Sequence, residues 1–502
     1  MAEGRIAPLE MDGARFRAVG HGLVDRIADF LDGLAHGPVT PGEGPATIRE
    51  LIRASEPLPL HGTDPETILS ESSEWLFRHS LHNGHPRFLG YITSSAAPIG
   101  MLADLLAASV NPNVGAWTLS PVASEIEAQT VRWLAELVDY PTSAGGLLVS
   151  GGNMANMVCF WAARVAAGGT SLRRTGTTGD GRSLVAFASA ETHTWIQKAA
   201  DLGGLGTDAV RWIPTDRTLR MDPGALAAAL DAEIEAGHAP MMVVASGGSV
   251  STGAVDPLRE IASICAERDV WFHVDGAYGG FAAVLPDGPE ELRHLALADS
   301  VAVDPHKWLY APLEAGCALV KDPERMRAAF AYHPPYYHFG EEALNYVDVG
   351  PQNSRGFRAL KVWMVLRHAG RSGCERMIAD DCRLARGLLE AVDAHPELEA
   401  ATCDLSITTF RYVPPELAGD LGSPGTEAYL NDLNRTVQGI LEREGEVFLS
   451  NAVVAGRYLL RACVVNFRTD ADDILAAGWE EGSSATSARA SRHASSAPTG
   501  SP

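Results

Sequence analysis

The sequence predicts an α/β fold: a doubly wound, mixed and mostly parallel sheet flanked by helices, preceded by a helical segment and followed by a small α+β unit. Three observations predict it. Short apolar runs without polar alternation recur along the chain, as strands buried on both faces require. Helical patterns such as Pro257 to Arg268 lie between several of these runs, which favours strand–helix–strand winding over a sandwich. An amine and a carboxylate, Lys307 and Asp275, stand at the carboxyl ends of two of the runs, where open α/β sheets hold their ligands.

In chain order, residues 1–84 carry helical patterning, with Phe16, Leu23, Ile27, Phe30 and Leu31 on one stripe, interrupted by the Gly- and Pro-rich stretch 37–45. The main domain is expected over 85–368. Within it, Ser124-Glu125-Ile126-Glu127 reads as a capping motif opening a helix from Ile126 to Val138, whose Val131, Leu134, Leu137 and Val138 face the core before Pro141 stops it. A strand is expected at Leu147–Val149, and buried parallel strands at Leu184–Phe187, Met241–Ala245, Trp271–Val274, Val301–Val303 and Ala318–Val320. Over 369–481 a helix precedes strands at Ile407–Arg411 and Tyr458–Cys463, which makes a small α+β C-terminal domain. Residues 482–502 are mostly Ser, Ala, Thr and Gly and predict a disordered tail, because too little apolar surface is present to offset the entropy of ordering.

Composition bounds the function. The 502 residues, 46% hydrophobic, suffice for a large core divided over more than one domain. A formal net charge of −23 with no basic run argues against a nucleic-acid partner, which needs a cationic face to displace counterions. Seven scattered cysteines without a Cys-x-x-Cys pair read as reduced thiols, and no metal site is expected. The first residues lack an apolar secretory core, and no stretch of about 18 apolar residues is present to cross a bilayer, so a cytoplasmic protein off the membrane is expected.

Lys307 follows the run Ser300-Val301-Ala302-Val303 in an abrupt Pro305-His306-Lys307 corner, and Asp275 ends Trp271-Phe272-His273-Val274-Asp275, 32 residues earlier. A pyridoxal phosphate site needs this pair: an amine to form a Schiff base with the cofactor aldehyde, and a carboxylate to keep the pyridine nitrogen protonated. Either residue alone would be a loop charge. Two motifs, His273-Val274-Asp275-Gly276-Ala277-Tyr278-Gly279-Gly280 and Asp304-Pro305-His306-Lys307-Trp308-Leu309, resemble the group II pyridoxal phosphate-dependent amino acid decarboxylases, the family of aromatic L-amino acid decarboxylase. The resemblance runs from about His85 to the region of Arg461 and Arg468. It implies fold-type I, a seven-stranded sheet, and a homodimer with active sites at the subunit interface.

Further roles follow from that resemblance. Gly152 and Asn153 in Ser150-Gly151-Gly152-Asn153-Met154-Ala155-Asn156 open a helix whose N-terminus suits a phosphate. Asn153 stands where the family has Ser or Thr. Ser249, in Gly248-Ser249-Val250-Ser251-Thr252-Gly253, is the second contributor; which hydroxyl points inward is open. His193 aligns with the histidine that stacks on the cofactor ring, Ala277 lies beside Asp275, and His306 matches a histidine of the phosphate and Schiff-base corner. Asp304 replaces the Asn of animal members and resembles bacterial ones. Arg355 and Arg358 match a segment near the dimer interface and the phosphate.

In the loop Phe330 to Phe339, Tyr336 aligns with the tyrosine that protonates the substrate carbanion across the subunit boundary, with Tyr337 as the neighbouring alternative. Tyr336 and His193 favour simple decarboxylation over the aldehyde synthases of the same family. Tyr91, Ile92 and Trp117 correspond to an apolar side-chain pocket, which favours an aromatic or bulky aliphatic L-amino acid, and Gly115 widens it where animal members carry a large aromatic residue. The leading expectation is therefore release of an amine and carbon dioxide. A pyridoxal aldehyde synthase or another carbon–carbon lyase is the alternative, and a cofactor-binding protein without catalysis is the third.

Overall fold

The computed structural model describes residues 7–169, 171–177, 182–333 and 343–478. Strands β1 (Gly145–Val149), β2 (Leu184–Ser189), β3 (Val210–Ile213), β4 (Ala239–Ser246), β5 (Trp271–Asp275), β6 (Ser300–Val303) and β7 (Gly316–Val320) form one sheet in the order β1-β7-β6-β5-β4-β2-β3. Parallel pairing joins β3 through β6, as expected. β7 corrects the expectation: it runs antiparallel to both β1 and β6. The twelve residues 304–315 turn the chain straight back beside β6, and the only helix they hold is the single turn Pro305–Trp308, not the crossover helix that a parallel neighbour needs. Sheet residues such as Phe187, Val243, Phe272 and Val301 are fully buried on its two faces, each large apolar side chain contributing about 1.5–3 kcal/mol.

The helix expected from Ile126 begins at Pro121 and ends at Leu137. Proline at the first helical position has its φ preset and no N–H to leave unpaired, so it starts the helix before the Ser124 motif is reached. Glu127 faces inward instead of capping. Ahead of the sheet, helices Gly13–Gly33 and Pro65–Arg78 are capped by Asp12 and Asp64; Arg15 donates to Asp64 at 2.7 Å and Phe30 stacks on Phe77 at 4.4 Å. No helix among the described residues is long and apolar enough to cross a membrane.

The helix Ala359–Ala394 leaves the sheet domain and is broken at Gly370, whose φ of 66° and ψ of 169° are non-helical. Beyond it, β8 (Leu398–Asp404), β9 (Ile407–Tyr412), β10 (Ser450–Val454) and β11 (Arg457–Cys463) pair antiparallel in the order β10-β11-β9-β8. The helix Pro424–Glu444 packs on this second sheet through Val437, with Leu433 and Leu441 beside it. The expected disordered tail lies outside the described residues.

Candidate active site

The carboxyl ends of β1, β2, β4, β5 and β6 open on one edge of the main sheet, and a cleft of about 380 Å³ lies there. Lys307, Asp275, Ala277, His193, Gly152, Asn153, Ser249, Tyr91 and Ile92 all line it. Register explains part of this convergence: Asp275 pairs with Ser246 of β4 on one side and Ala302 of β6 on the other.

Lys307 sits in a four-residue helix, Pro305–Trp308, that proline starts directly after β6. Its Nζ lies 3.3 Å from Asp304 Oδ2. Asp304 is buried and its Oδ1 has no hydrogen-bond partner. Behind the lysine, His306 Nδ1 lies 2.8 Å from the carbonyl oxygen of Ala315, and burial lowers its pKa. Asp304 and His306 thus support the corner from beneath.

Asp275 accepts from Trp195 Nε1 at 2.8 Å and from the Ala277 N–H at 3.2 Å, which fixes the carboxylate plane. His193 faces the cleft. Its Nδ1 accepts the Trp195 N–H at 3.2 Å, so a neutral ring carries its proton on Nε2, and desolvation holds its pKa below the ordinary value. Two residues before Asp275, His273 is fully buried between Ser300 Oγ at 2.8 Å and Asn156 Oδ1 at 2.7 Å. Burial pushes its pKa down to about 4, so it is neutral at physiological pH.

The expected phosphate cradle lies at the start of one helix. The helix Gly152–Gly168 starts without a side-chain cap, leaving first-turn N–H groups free for an anion. A Cβ on Gly152 would stand 2.5 Å from Asp304 Oδ2 and 2.9 Å from Ala277 Cβ, and Gly151 has φ +90° with the His306 ring beneath it. Ser249 is buried against Thr252, with Oγ atoms 3.1 Å apart. An amine, a fixed carboxylate and an uncapped helix N-terminus on one cleft fit pyridoxal phosphate.

Other expected residues stand elsewhere. Trp117 is not on the cleft wall of this chain: its Nε1 donates to Glu125 at 2.8 Å and it borders a separate depression with Pro121 and Val122. Gly115 answers to packing, not pocket width, since a Cβ there would meet Asn353 O at 2.2 Å. Arg355 does not reach the cleft; it is buried, donating to Glu127 Oε2 at 3.1 Å and to Leu148 O at 2.7 Å. Arg358 pairs with Glu314 at 2.8 Å. Tyr336 and Tyr337 lie outside the described residues.

Sequence reasoning missed four contributors. Trp195 orients Asp275, and Ser450 and Asn451 close the far wall. Arg461 had served only to bound the resemblance, yet it lines the cleft and is 3% exposed. Its Nη1 donates to Tyr91 O at 3.1 Å and Ser450 Oγ at 2.9 Å, while Nε and Nη2 have no partner. A buried cation in a cleft wall was the signal available in principle, but burial is not written in the sequence.

Comparison with known proteins agrees with this geometry. The family model described as the pyridoxal-dependent decarboxylase conserved domain matches residues 45–413. The chain belongs to that family. An aromatic-L-amino-acid decarboxylase of Bacillus atrophaeus is 31% identical over 472 residues, covering 93% of this chain and 95% of the relative. A tyrosine decarboxylase of Oryza sativa subsp. japonica is 32% identical, with 92% and 89% covered. The crystal structure of Oryza sativa TDC with PLP and tryptamine superposes with a TM-score of 0.87 at 28% identity, over 97% of this chain and 100% of that one. The fold is therefore that of the fold-type I pyridoxal decarboxylases, and pyridoxal phosphate is the cofactor.

Proposed function

We infer that this enzyme decarboxylates an aromatic L-amino acid to its amine and carbon dioxide. The observation that carries the inference is the convergence of Lys307 and the Trp195-fixed Asp275 on a cleft that also holds an uncapped helix N-terminus. Bound pyridoxal phosphate supplies an electron sink for the pair released when the Cα–carboxylate bond breaks. Lys307 holds and releases the cofactor through its amine. Asp275 keeps the ring nitrogen protonated, its own position set by two hydrogen bonds. His193 presents a flat, neutral ring to the cleft, suited to stacking. Gly152, Asn153 and Ser249 would receive the phosphate. Arg461 offers two unpaired nitrogens, Nε and Nη2, to the substrate carboxylate and so orients the bond to be broken. Tyr91 and Ile92 give the side chain an apolar and aromatic wall. Tyr336 is assigned the proton delivered to Cα.

We read the chain as a cytoplasmic homodimer with the helical segment 1–84 wrapping the partner, the domains 85–368 and 369–481 forming each protomer, and the Tyr336 loop and Trp117 acting at the neighbouring site. Exposed Leu102, Leu105, Leu106 and Val110 on the helix Pro98–Val110 support an interface there.

The test is a panel of L-amino acids incubated with the cofactor-loaded protein, following carbon dioxide, amine, ammonia and peroxide together. Equal amounts of amine and carbon dioxide without peroxide are expected, greatest for an aromatic substrate. Aldehyde accompanied by ammonia and peroxide would overturn simple decarboxylation.

A further inference from the structure

The turn that carries Lys307 is fastened from behind by a carboxylate that no step above uses. Trp308 and Tyr310, one and three residues beyond the lysine, are both buried to within 1%. Trp308 Nε1 donates to Asp381 Oδ2 at 2.8 Å, and Tyr310 Oη donates to the same oxygen at 2.6 Å. Asp381 is 2% exposed and lies on the helix Ala359–Ala394, which packs against β8 and β9. Tyr310 has φ 55°, a left-handed conformation that a tyrosine keeps only where its surroundings impose it. Its carbonyl accepts the Ala97 N–H at 2.8 Å, and its ring meets Phe467 edge-on at 5.4 Å.

The same arrangement reaches the Asp275 turn. Trp308 stacks on Tyr278 at 4.9 Å and 18°. Tyr278, three residues beyond Asp275, places its hydroxyl 2.7 Å from Ser406 Oγ and accepts the Ser406 N–H at 3.0 Å. Each cofactor-bearing turn therefore ends in an aromatic side chain whose polar tip is held by the C-terminal unit, and the two rings lie face to face.

We propose that Asp381 is a positioning residue: by gathering Trp308 and Tyr310 on one carboxylate oxygen it fixes the Lys307 turn, and through the Trp308–Tyr278 stack it fixes the Asp275 turn, so that amine and carboxylate keep their relative placement. A buried acid is a costly way to gain stability alone, since apolar residues of similar volume usually serve as well or better. Here burial raises the carboxyl to about 7, the cost being met by donors that flank the functional lysine. The proposal rests on Lys307 being the cofactor-bearing amine.

The experiment compares Tyr310→Phe, which removes one hydroxyl, and Asp381→Asn with Asp380→Asn, an exposed neighbour on the same helix. Each protein is loaded with pyridoxal phosphate, and its visible absorbance is titrated with pH. Cofactor affinity, kcat and KM for amine release are measured alongside. Tyr310→Phe is expected to move the absorbance titration, weaken cofactor binding and lower kcat by roughly tenfold or more with little change in KM, as misplacement of a reacting group does. Asp381→Asn should act in the same direction and Asp380→Asn should match wild type. Tyr310→Phe decides the matter if Asp381→Asn does not fold. Wild-type absorbance titration and kcat in saturated Tyr310→Phe would overturn the proposal, whatever its melting temperature. Lys307→Ala tests the underlying assignment separately: if its visible, borohydride-sensitive absorbance persists, the lysine assignment fails, whereas loss of it beside an unaffected Tyr310→Phe removes only the role of Asp381.

Discussion

Replacing Arg461 by methionine is expected to lower activity without lowering stability. In the free protein the guanidinium is buried, and its only hydrogen-bond partners among the described residues are the neutral oxygens of Tyr91 and Ser450. An uncompensated buried charge costs several kcal/mol, and methionine fills much of the same space with an adaptable apolar chain, so the melting temperature of the cofactor-free protein should hold or rise. The substrate carboxylate loses two charge-assisted hydrogen bonds, one to each unpaired nitrogen. At ~1.5–3 kcal/mol for each such bond, and taking the lower end because the cation is already partly solvated by two oxygens, the loss is ~3–4 kcal/mol. That corresponds to a fall of about 100- to 1,000-fold in kcat/KM.

Steady-state amine release by cofactor-saturated protein measures the fall directly. Inhibition by the product amine, which lacks the carboxylate, supplies the internal control and should change by no more than about twofold if the lost contact is specific. Arg461→Lys keeps the charge but not the planar fork, and should fall between the two. A kcat/KM for Arg461→Met within a few-fold of wild type, or equal weakening of amine and amino acid, would refute the reasoning.

Three further outcomes are expected. Glu127→Gln leaves Arg355 charged and buried without its counter-ion, so the denaturant midpoint should fall by the equivalent of ~3 kcal/mol while KM stays unchanged; an unaltered midpoint would show that the pair adds nothing. Gly152→Ala forces a methyl to within 2.5 Å of Asp304 Oδ2, and overpacking of ~1–3 kcal/mol should weaken pyridoxal phosphate binding by ten- to a hundredfold, read by titrating cofactor into the free protein. For His273 the folded pKa of about 4 lies below the ordinary 6.5, so the unfolded chain binds the proton more tightly and stability is lost as pH falls from about 6.5 to 4, by ~3 kcal/mol in all. Asp256 and Asp381, raised to about 6 and about 7, act in the opposite sense over an overlapping range, so the test is the stability of wild type minus that of His273→Asn, a difference that should fall by ~3 kcal/mol between about pH 6.5 and pH 4.

Central strands were legible in the sequence and edge strands mostly were not. β4, β5 and β6 are bordered on both sides and read as unbroken apolar runs. In the second sheet, β9 and β11 are central and were expected, while β8 and β10 are the edges and were not. β3, the outermost strand of the main sheet, carries half-exposed Arg211 and exposed Trp212 between its buried ends, so its four residues do not stand out from a loop. The pairing of residues across strands was equally hidden. Trp195 follows β2 and Asp275 ends β5, with β4 between them in the sheet, so the hydrogen bond joining their side chains depends on strand order, which neither spacing nor periodicity reveals.

Strand direction adds a last step. Because β7 runs against its neighbours, it begins at the edge where they end, and its first residues belong to the site although no chemistry-bearing side chain marks them. Ala315 meets His306 through both its N–H and its carbonyl. Gly316 pairs with Val149 and lies so close to the cradle turn that a Cβ would stand 2.4 Å from the Gly151 carbonyl carbon. A parallel β7 would begin at the opposite edge and leave His306 and Gly151 without these supports. The reversal thus lets one short strand brace the lysine corner on one side and the Gly151 turn on the other, which requires a residue without a side chain at 316 for reasons of backbone approach.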